Sequence, residues 1–334
     1  MTSYKVTKKP SIVDSFLSLS RSSSILYENA QIKSKYSLIK RSRKNFLIRS
    51  EFGKLTIDLF FQIAREINAD TLIECGANDA SVSRRFLAMR ANRNAIAIEA
   101  NPFVHAKFKD DNSQDNLRYL LTGVSDKKKT LEFNIPKVTG ESTSIFGSFQ
   151  KLPQYYTDYS SFEVKVDKLD NIVKLKDLED KTTIMWIDVE GEAFNLFLGA
   201  KKVLASGSIK MIYIEVQESL HYSKEKSALE ISMLLSNYGF VPVARDFPLA
   251  DLYNLLLIKE ETLKEVVPSL NQYWARLARI RLPIVEIRKP TQSLSFIKNM
   301  LLKVIPRFLL PLCHKLFARL GSNSSREITI GGSS

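Results

Sequence analysis

Two short stretches of this sequence place acids and a glycine where an apolar run ends. Glu74-Cys75-Gly76-Ala77-Asn78-Asp79 follows Thr71-Leu72-Ile73, and Asp188-Val189-Glu190-Gly191 follows Ile184-Met185-Trp186-Ile187. A glycine lets the backbone approach a neighbour without a Cβ in the way. In an open α/β sheet, ligands sit beyond the carboxyl ends of the strands, where such turns lie. The two stretches therefore predict one cleft, with a cofactor side at 74–79 and a chemistry side at 188–191.

The first stretch carries one glycine, not three. Positions 78 and 81 are Asn and Ser, so no G-x-G-x-x-G is present to cradle a pyrophosphate. Glu99 lies 25 residues after Glu74 and closes the apolar run Asn94-Ala95-Ile96-Ala97-Ile98. An acid at that place can accept hydrogen bonds from both hydroxyls of a ribose. A ribose-binding acid without a pyrophosphate loop points to an adenosyl group, as in S-adenosylmethionine. The plainer alternative is an ordinary α/β turn with Glu99 as a helix cap.

At the second stretch the types suit proton transfer. A sulfonium is an activated methyl donor, so a protein has mainly to align donor and acceptor and exclude water. An alcohol acceptor needs a base. Asp188 is the first candidate for base or acceptor positioning and Glu190 the second. His221, six residues after Glu215, is the third because imidazole titrates near neutrality. Each has a bland alternative: Asp188 as a helix N-cap, Glu190 as a partner of the helix dipole, His221 as a surface residue. Asp188, Glu190 and Glu215 could also chelate a divalent ion through oxygen, but their spacing does not demand one, and no metal is predicted.

Alternating strands and helices must hold these turns. Ile57, Phe60, Phe61, Ala64 and Ile67 recur at helical spacing. Strands are predicted at 71–73, 94–98, 117–124, 184–187 and 211–214, with helices after most of them; Asn101-Pro102 opens one, Pro suiting the first turn, and 193–204 forms another. Residues 127–180 break the rhythm as an insert holding two alternating strands, 131–135 and 162–166. Between those strands lies a loop, 139–159, rich in hydroxyls and aromatics (Ser142, Thr143, Ser144, Phe146, Tyr155, Tyr156, Tyr159) that suits a sugar. Segments 240–243 and 252–258 read as a terminal antiparallel pair. The fold class is α/β, a doubly wound, mostly parallel sheet.

Charge argues about partners. The chain of 334 residues has a net charge of +13, but residues 1–50 carry +9 and 281–334 carry +7, leaving −3 on the middle. A mildly acidic middle disfavours a nucleic-acid substrate. With 44% apolar residues the chain can bury a sizeable core. Its two cysteines, Cys75 and Cys313, build neither a zinc site nor a disulfide framework, which makes a reducing cytoplasmic setting the default. No apolar run is long enough for a membrane span. The predicted organisation is a basic, loosely ordered or helical extension (1–50), a catalytic domain (51–260) and a helical, basic amphipathic tail (261–334). Within the tail, Leu294 to Leu320 alternates apolar residues with Lys298, Lys303, Arg307, Lys315 and Arg319. Such a segment can lie in a membrane interface or dock on its own domain or a partner.

Taken in order, Glu74-Cys75-Gly76-Ala77-Asn78, Ala97-Ile98-Glu99-Ala100-Asn101-Pro102, Gly123-Val124-Ser125-Asp126 and Ile187-Asp188-Val189-Glu190-Gly191-Glu192 resemble the motifs of FkbM-type methyltransferases. The resemblance spans roughly residues 70–258. It implies a class I (Rossmann-like) methyltransferase fold that binds S-adenosylmethionine and methylates an oxygen of a sugar, glycan precursor or related small metabolite. By the same resemblance, Glu74, Gly76 and Asn78 would hold the methionine end, Glu99 the ribose, and Ser125-Asp126 would lie near the adenine. Two residues depart from the pattern: Glu74 stands where Asp is common, and Trp186 where Lys is frequent. The alternatives carried beside this reading are a non-catalytic binding protein of the same fold and a nucleotide- or dinucleotide-binding enzyme.

Overall fold

A computed structural model describes residues 43–112, 114–136, 147–150, 158–217, 226–246 and 252–279. His221, the 294–320 segment and most of the 139–159 loop, including Ser142, Thr143, Ser144, Phe146, Tyr155 and Tyr156, lie outside the described residues. Residues 280–334 lie outside them as well.

Seven strands form the main sheet: β1 (Thr71–Cys75), β2 (Asn94–Glu99), β3 (Leu117–Leu121), β7 (Thr183–Ile187), β8 (Ile209–Gln217), β9 (Phe240–Arg245) and β10 (Leu252–Lys259). Their order is β3-β2-β1-β7-β8-β10-β9. The first five run parallel, and β10 inserts antiparallel between β8 and β9. The expected terminal antiparallel pair is therefore present. The strand order reverses between β1 and β7, and the carboxyl ends of those two strands carry the two acid-and-glycine turns.

Strand residues alternate between two faces. Ile73, Cys75, Ile98, Met185, Ile187 and Ile214 turn to one core. It is covered by α5 (Ala193–Leu198), α6 (Lys201–Ala205) and α7 (Ala228–Ser236), through side chains such as Phe197, Val203 and Leu235. On the other face Trp186 stacks on Tyr213 with ring centroids 3.9 Å apart, and Phe60 meets it edge-on at 5.3 Å. Phe60 belongs to α1 (Arg43–Glu66), which runs through the boundary expected at residue 50. The closing helix α8 (Leu263–Arg279) pairs with α1: the Thr56 and Tyr273 hydroxyls lie 3.0 Å apart, and Gln62 donates to Ser269 at 2.6 Å. Residues 263–279 thus belong to the same compact unit as the sheet, not to a separate tail.

The structure corrects two element boundaries. The expected strand 117–124 ends at Leu121; β4 (Gly123–Val124) leaves the main sheet and pairs with β6 (Tyr159–Asp167), which pairs antiparallel with β5 (Lys129–Pro136). The insert is therefore a second, three-stranded sheet. The expected helix 193–204 is split at Gly199-Ala200. There Asp170 N, from α4 (Leu169–Ile172), donates to Gly199 O at 3.1 Å, and the Asp170 carboxylate starts the second helix by accepting from Lys202 N and Val203 N at 3.0 Å. A Cβ on Gly199 would lie 2.1 Å from the Ser125 carbonyl oxygen, so glycine fits this junction. No helix among the described residues is long and apolar enough to cross a membrane.

Candidate active site

The turn after β1 is built from left-handed residues: Gly76 (φ 78°), Asn78 (46°) and Ala80 (57°). Most of its amides and carbonyls are claimed. Gly76 and Ala77 donate to Ile98 O at 2.9 and 3.0 Å. Tyr119 Oη donates to Asn78 O, and Arg84 and Asn112 hold Asp79 O. A turn with its backbone groups satisfied is rigid before any ligand arrives.

The turn after β7 is stitched to it. Asp188 N donates to Cys75 O at 2.9 Å, and a Cβ on Gly76 would lie 1.6 Å from Asp188 O. Gly76 is thus required by the neighbouring turn. The sequence argument assigned it to a ligand's approach; the structure adds this second and stricter reason. Beyond Asp188 the chain reverses through Glu190 (φ 34°) and Gly191 (φ 85°). Helix α5 starts at Ala193 with Glu192 at its N-cap, which removes the helix-cap alternative for Asp188.

Between the turns lies a cleft with an empty volume of about 830 Å³, part of it open to solvent. Gly76, Asn78, Glu99, Asp188 and Glu190 all line it, so the structure brings five of the sequence-derived candidates together. Ile98, Val104, Val124, Phe133 and Phe149 add apolar lining to the same cleft. A second pocket, with about 340 Å³ of empty space partly open to solvent, is lined by Val189, Glu190, Gly191, Phe194, Glu215 and Lys226 among others.

Glu99 is 7% exposed, and each of its oxygens meets a backbone amide: Asn78 N at 2.7 Å and Asn101 N at 2.6 Å. Asn101 in turn caps α3 (Pro102–Phe108) by accepting from Phe103 N and Val104 N. Burial pushes the Glu99 carboxyl above the usual carboxylate range against the pull of those amides, and the Asp188 charge adds to the rise. Water reaches Asp188 through the cleft, yet the protein packed round its carboxyl raises its pKa from 3.8 to about 6. That places a base close to neutrality.

Three candidates sit elsewhere. Glu74 is 2% exposed and does not line the cleft; it accepts from Ser83 N at 2.9 Å and Ser83 Oγ at 2.5 Å, tying β1 to α2 (Ser81–Leu87). Burial raises its pKa to about 8. Ser125 is fully buried behind the wall, donating to Glu192 at 2.8 Å, and Asp126 pairs with Lys129 at 2.9 Å. The residues just before them, Thr122 to Val124, form the wall instead. Sequence reasoning missed Phe133, Ser148, Phe149 and Glu192 as lining residues; of these, Glu192 stood inside the last motif and was the one carrying a signal. Oxygens of Asp188, Glu190 and Glu215 come within 4.8 Å of one another, the cluster foreseen as a chelation alternative. Acidic groups so placed also occur without an ion.

Residues 74–242 match the model of the methyltransferase FkbM domain. The chain belongs to the FkbM methyltransferase family. Its class I fold, with β10 reversed in an otherwise parallel sheet, agrees with that membership. The 2-O-methyltransferase NoeI of Sinorhizobium fredii is 23% identical over 179 residues, covering 51% of this chain and 72% of that protein. Among solved structures, magnesium protoporphyrin IX methyltransferase from Synechocystis PCC 6803 with bound S-adenosylmethionine has 8% identity, covers 62% of this chain and 80% of that chain, and gives a TM-score of 0.34. Aeropyrum pernix fibrillarin, also with S-adenosylmethionine, has 8% identity, covers 57% of this chain and 66% of that chain, and gives 0.34. For an FkbM methyltransferase, S-adenosylmethionine is the expected cofactor. The cleft's lining suits such a ligand, with apolar side chains beside the buried acid Glu99 and the Gly76 turn next to Asp188.

Proposed function

We propose that this FkbM methyltransferase methylates a hydroxyl of a sugar, glycan precursor or related small metabolite. The observation that carries the reading is Asp188, an acid raised to about 6 that lines the cofactor cleft beside Gly76 and shares a carboxylate cluster with Glu190 and Glu215. When bound, S-adenosylmethionine would supply an activated sulfonium methyl, leaving as S-adenosylhomocysteine. Gly76 and Asn78 would hold its methionine end, Glu99 the ribose through lone pairs left beside its amide contacts, and the Phe133–Phe149 wall the adenine. Asp188 would take the acceptor's proton at a carboxylate oxygen, with Glu190 orienting the hydroxyl. The 2-O-methyltransferase name of NoeI supports oxygen as the acceptor atom. The −3 charge of residues 51–280 supports a small acceptor over a nucleic acid.

The test has two stages. Calorimetry with S-adenosylmethionine should give a binding isotherm that Glu99→Ala weakens at least tenfold; absence of heat at millimolar ligand would sink the reading. Transfer of labelled methyl should then be followed onto a panel of mono- and oligosaccharides and onto RNA. Label in RNA with none in any saccharide would overturn the acceptor class.

A further inference from the structure

Residues 147–150 are remote in sequence from the β7 turn and yet rest on it. Ser148 exchanges two backbone hydrogen bonds with Asn134 of β5, at 2.8 and 3.0 Å. Its hydroxyl donates to Glu190 O at 2.7 Å. Gln150 Nε2 donates to Glu192 Oε2 at 2.9 Å, while Glu192 Oε1 accepts from Ser125 Oγ at 2.8 Å and Asn195 Nδ2 at 3.0 Å. All of this is out of water: Ser148, Gln150 and Glu192 are 1%, 7% and 3% exposed. Phe149 between them packs edge-on against Phe133 at 4.9 Å, and a Cβ on Gly123 would fall 2.6 Å from the Phe149 ring.

The position of these bonds matters. Glu190 is a non-glycine residue at φ 34°, a conformation that costs about 1 kcal/mol or more and must be held from outside. The Ser148 hydroxyl holds its carbonyl. The Gln150–Glu192 bond holds the residue two places on. Three segments (Ser125 behind the cleft wall, the insert at 148–150 and the acid-bearing turn) therefore converge on the Glu192 carboxylate.

We propose that residues 147–150 are a strap that positions the acid-bearing 188–192 turn for acceptor binding, with Ser148, Gln150 and Glu192 as its positioning residues. This assignment rests on the methyl-transfer reading above. The strap forms one wall of the cofactor cleft and grips the acceptor-side turn, so its contacts hold the two half-sites in register.

Hydrogen exchange of the 188–192 backbone reads the strap directly, without an acceptor. Ser148→Ala removes one grip. Gln150→Glu sets two carboxylates against each other and removes the second. Each should speed exchange at 188–192 about tenfold. The double variant Gln150→Glu/Glu192→Gln reverses the pair: the new amide donates to the new carboxylate, and Gln Oε1 keeps Ser125 and Asn195. It should return exchange to within about threefold of wild type. Rescue of this kind separates a specific contact from a general loss of fold. Unchanged exchange in both single variants, or a double variant no better than Gln150→Glu, overturns the proposal. A wild-type protein that fails to bind S-adenosylhomocysteine while the exchange pattern holds would strike the methyl-transfer reading and leave the strap standing.

Discussion

Replacing Gly76 by Ala tests the claim that the two turns are locked together. Two costs add at this position. The residue sits at φ 78°, where an L side chain loses about 1–2 kcal/mol. Its Cβ would also lie 1.6 Å from Asp188 O and 2.6 Å from Asp188 C, where real Cβ contacts do not come under 3.0 Å. The turns must part by roughly 1.5 Å, straining or breaking the 2.9 Å bond from Asp188 N to Cys75 O, which is worth about 1 kcal/mol. Overpacking of this kind adds ~1–3 kcal/mol. The sum is roughly 4 kcal/mol, a large part of a typical stability of about 5–15. Gly207 provides the control: it has the same φ of 78°, and a Cβ there would meet nothing within 4 Å. Gly207→Ala therefore carries the backbone cost alone, ~1 kcal/mol. Urea unfolding of both variants separates strain from collision. Calorimetry with S-adenosylhomocysteine adds a second reading, because a displacement of ~1 Å can cost about 100-fold in function. If Gly76→Ala unfolds within ~1 kcal/mol of Gly207→Ala and binds ligand normally, the interlock is wrong.

The remaining predictions concern named acids and one ring stack. Asp188, with its pKa raised to about 6, works as a base only when ionised, so kcat/KM should rise with pH through about 6. In Asp188→Asn that limb should vanish with ~100-fold or greater loss, and an unaltered profile would exclude Asp188 as the base. Glu74 has a folded pKa near 8, above its ordinary 4.5, so its protonated form stabilises the fold. That stability is complete below about 4.5 and is lost as pH rises through 8; Glu74→Gln should flatten the denaturation midpoint between pH 5 and 9, which chemical unfolding at stepped pH would show. Trp186→Ala removes the 3.9 Å stack on Tyr213 and the edge contact with Phe60, and should cost about 3 kcal/mol of unfolding free energy without abolishing cofactor binding.

Much of the site was legible because its signals are local. An apolar run, then an acid, then a glycine marks a strand end, and the Asn101-Pro102 pair marks a helix start; both depend on neighbours in the chain. From the sequence alone came the α/β class, the two turns, Glu99 at the end of β2 and the family. Side-chain direction and long-range packing were not legible. Glu74 shares a motif with Gly76 and Asn78, yet alternation along β1 turns it toward Ser83 and away from the cleft. Ser125 likewise falls behind the wall because β4 leaves the main sheet one residue after Leu121–Thr122. Gly76 looked like space for a ligand, but only the folded chain shows Asp188 O occupying that space. The strap at 147–150 meets the β7 turn across about forty residues of sequence with no motif to announce it. Periodicity and turn chemistry are written in neighbouring residues, so the sequence determines which elements form and where their ends lie. Which oxygen faces the cleft, and which segment braces it, is set by contacts between parts of the chain that meet only after the sheet has assembled.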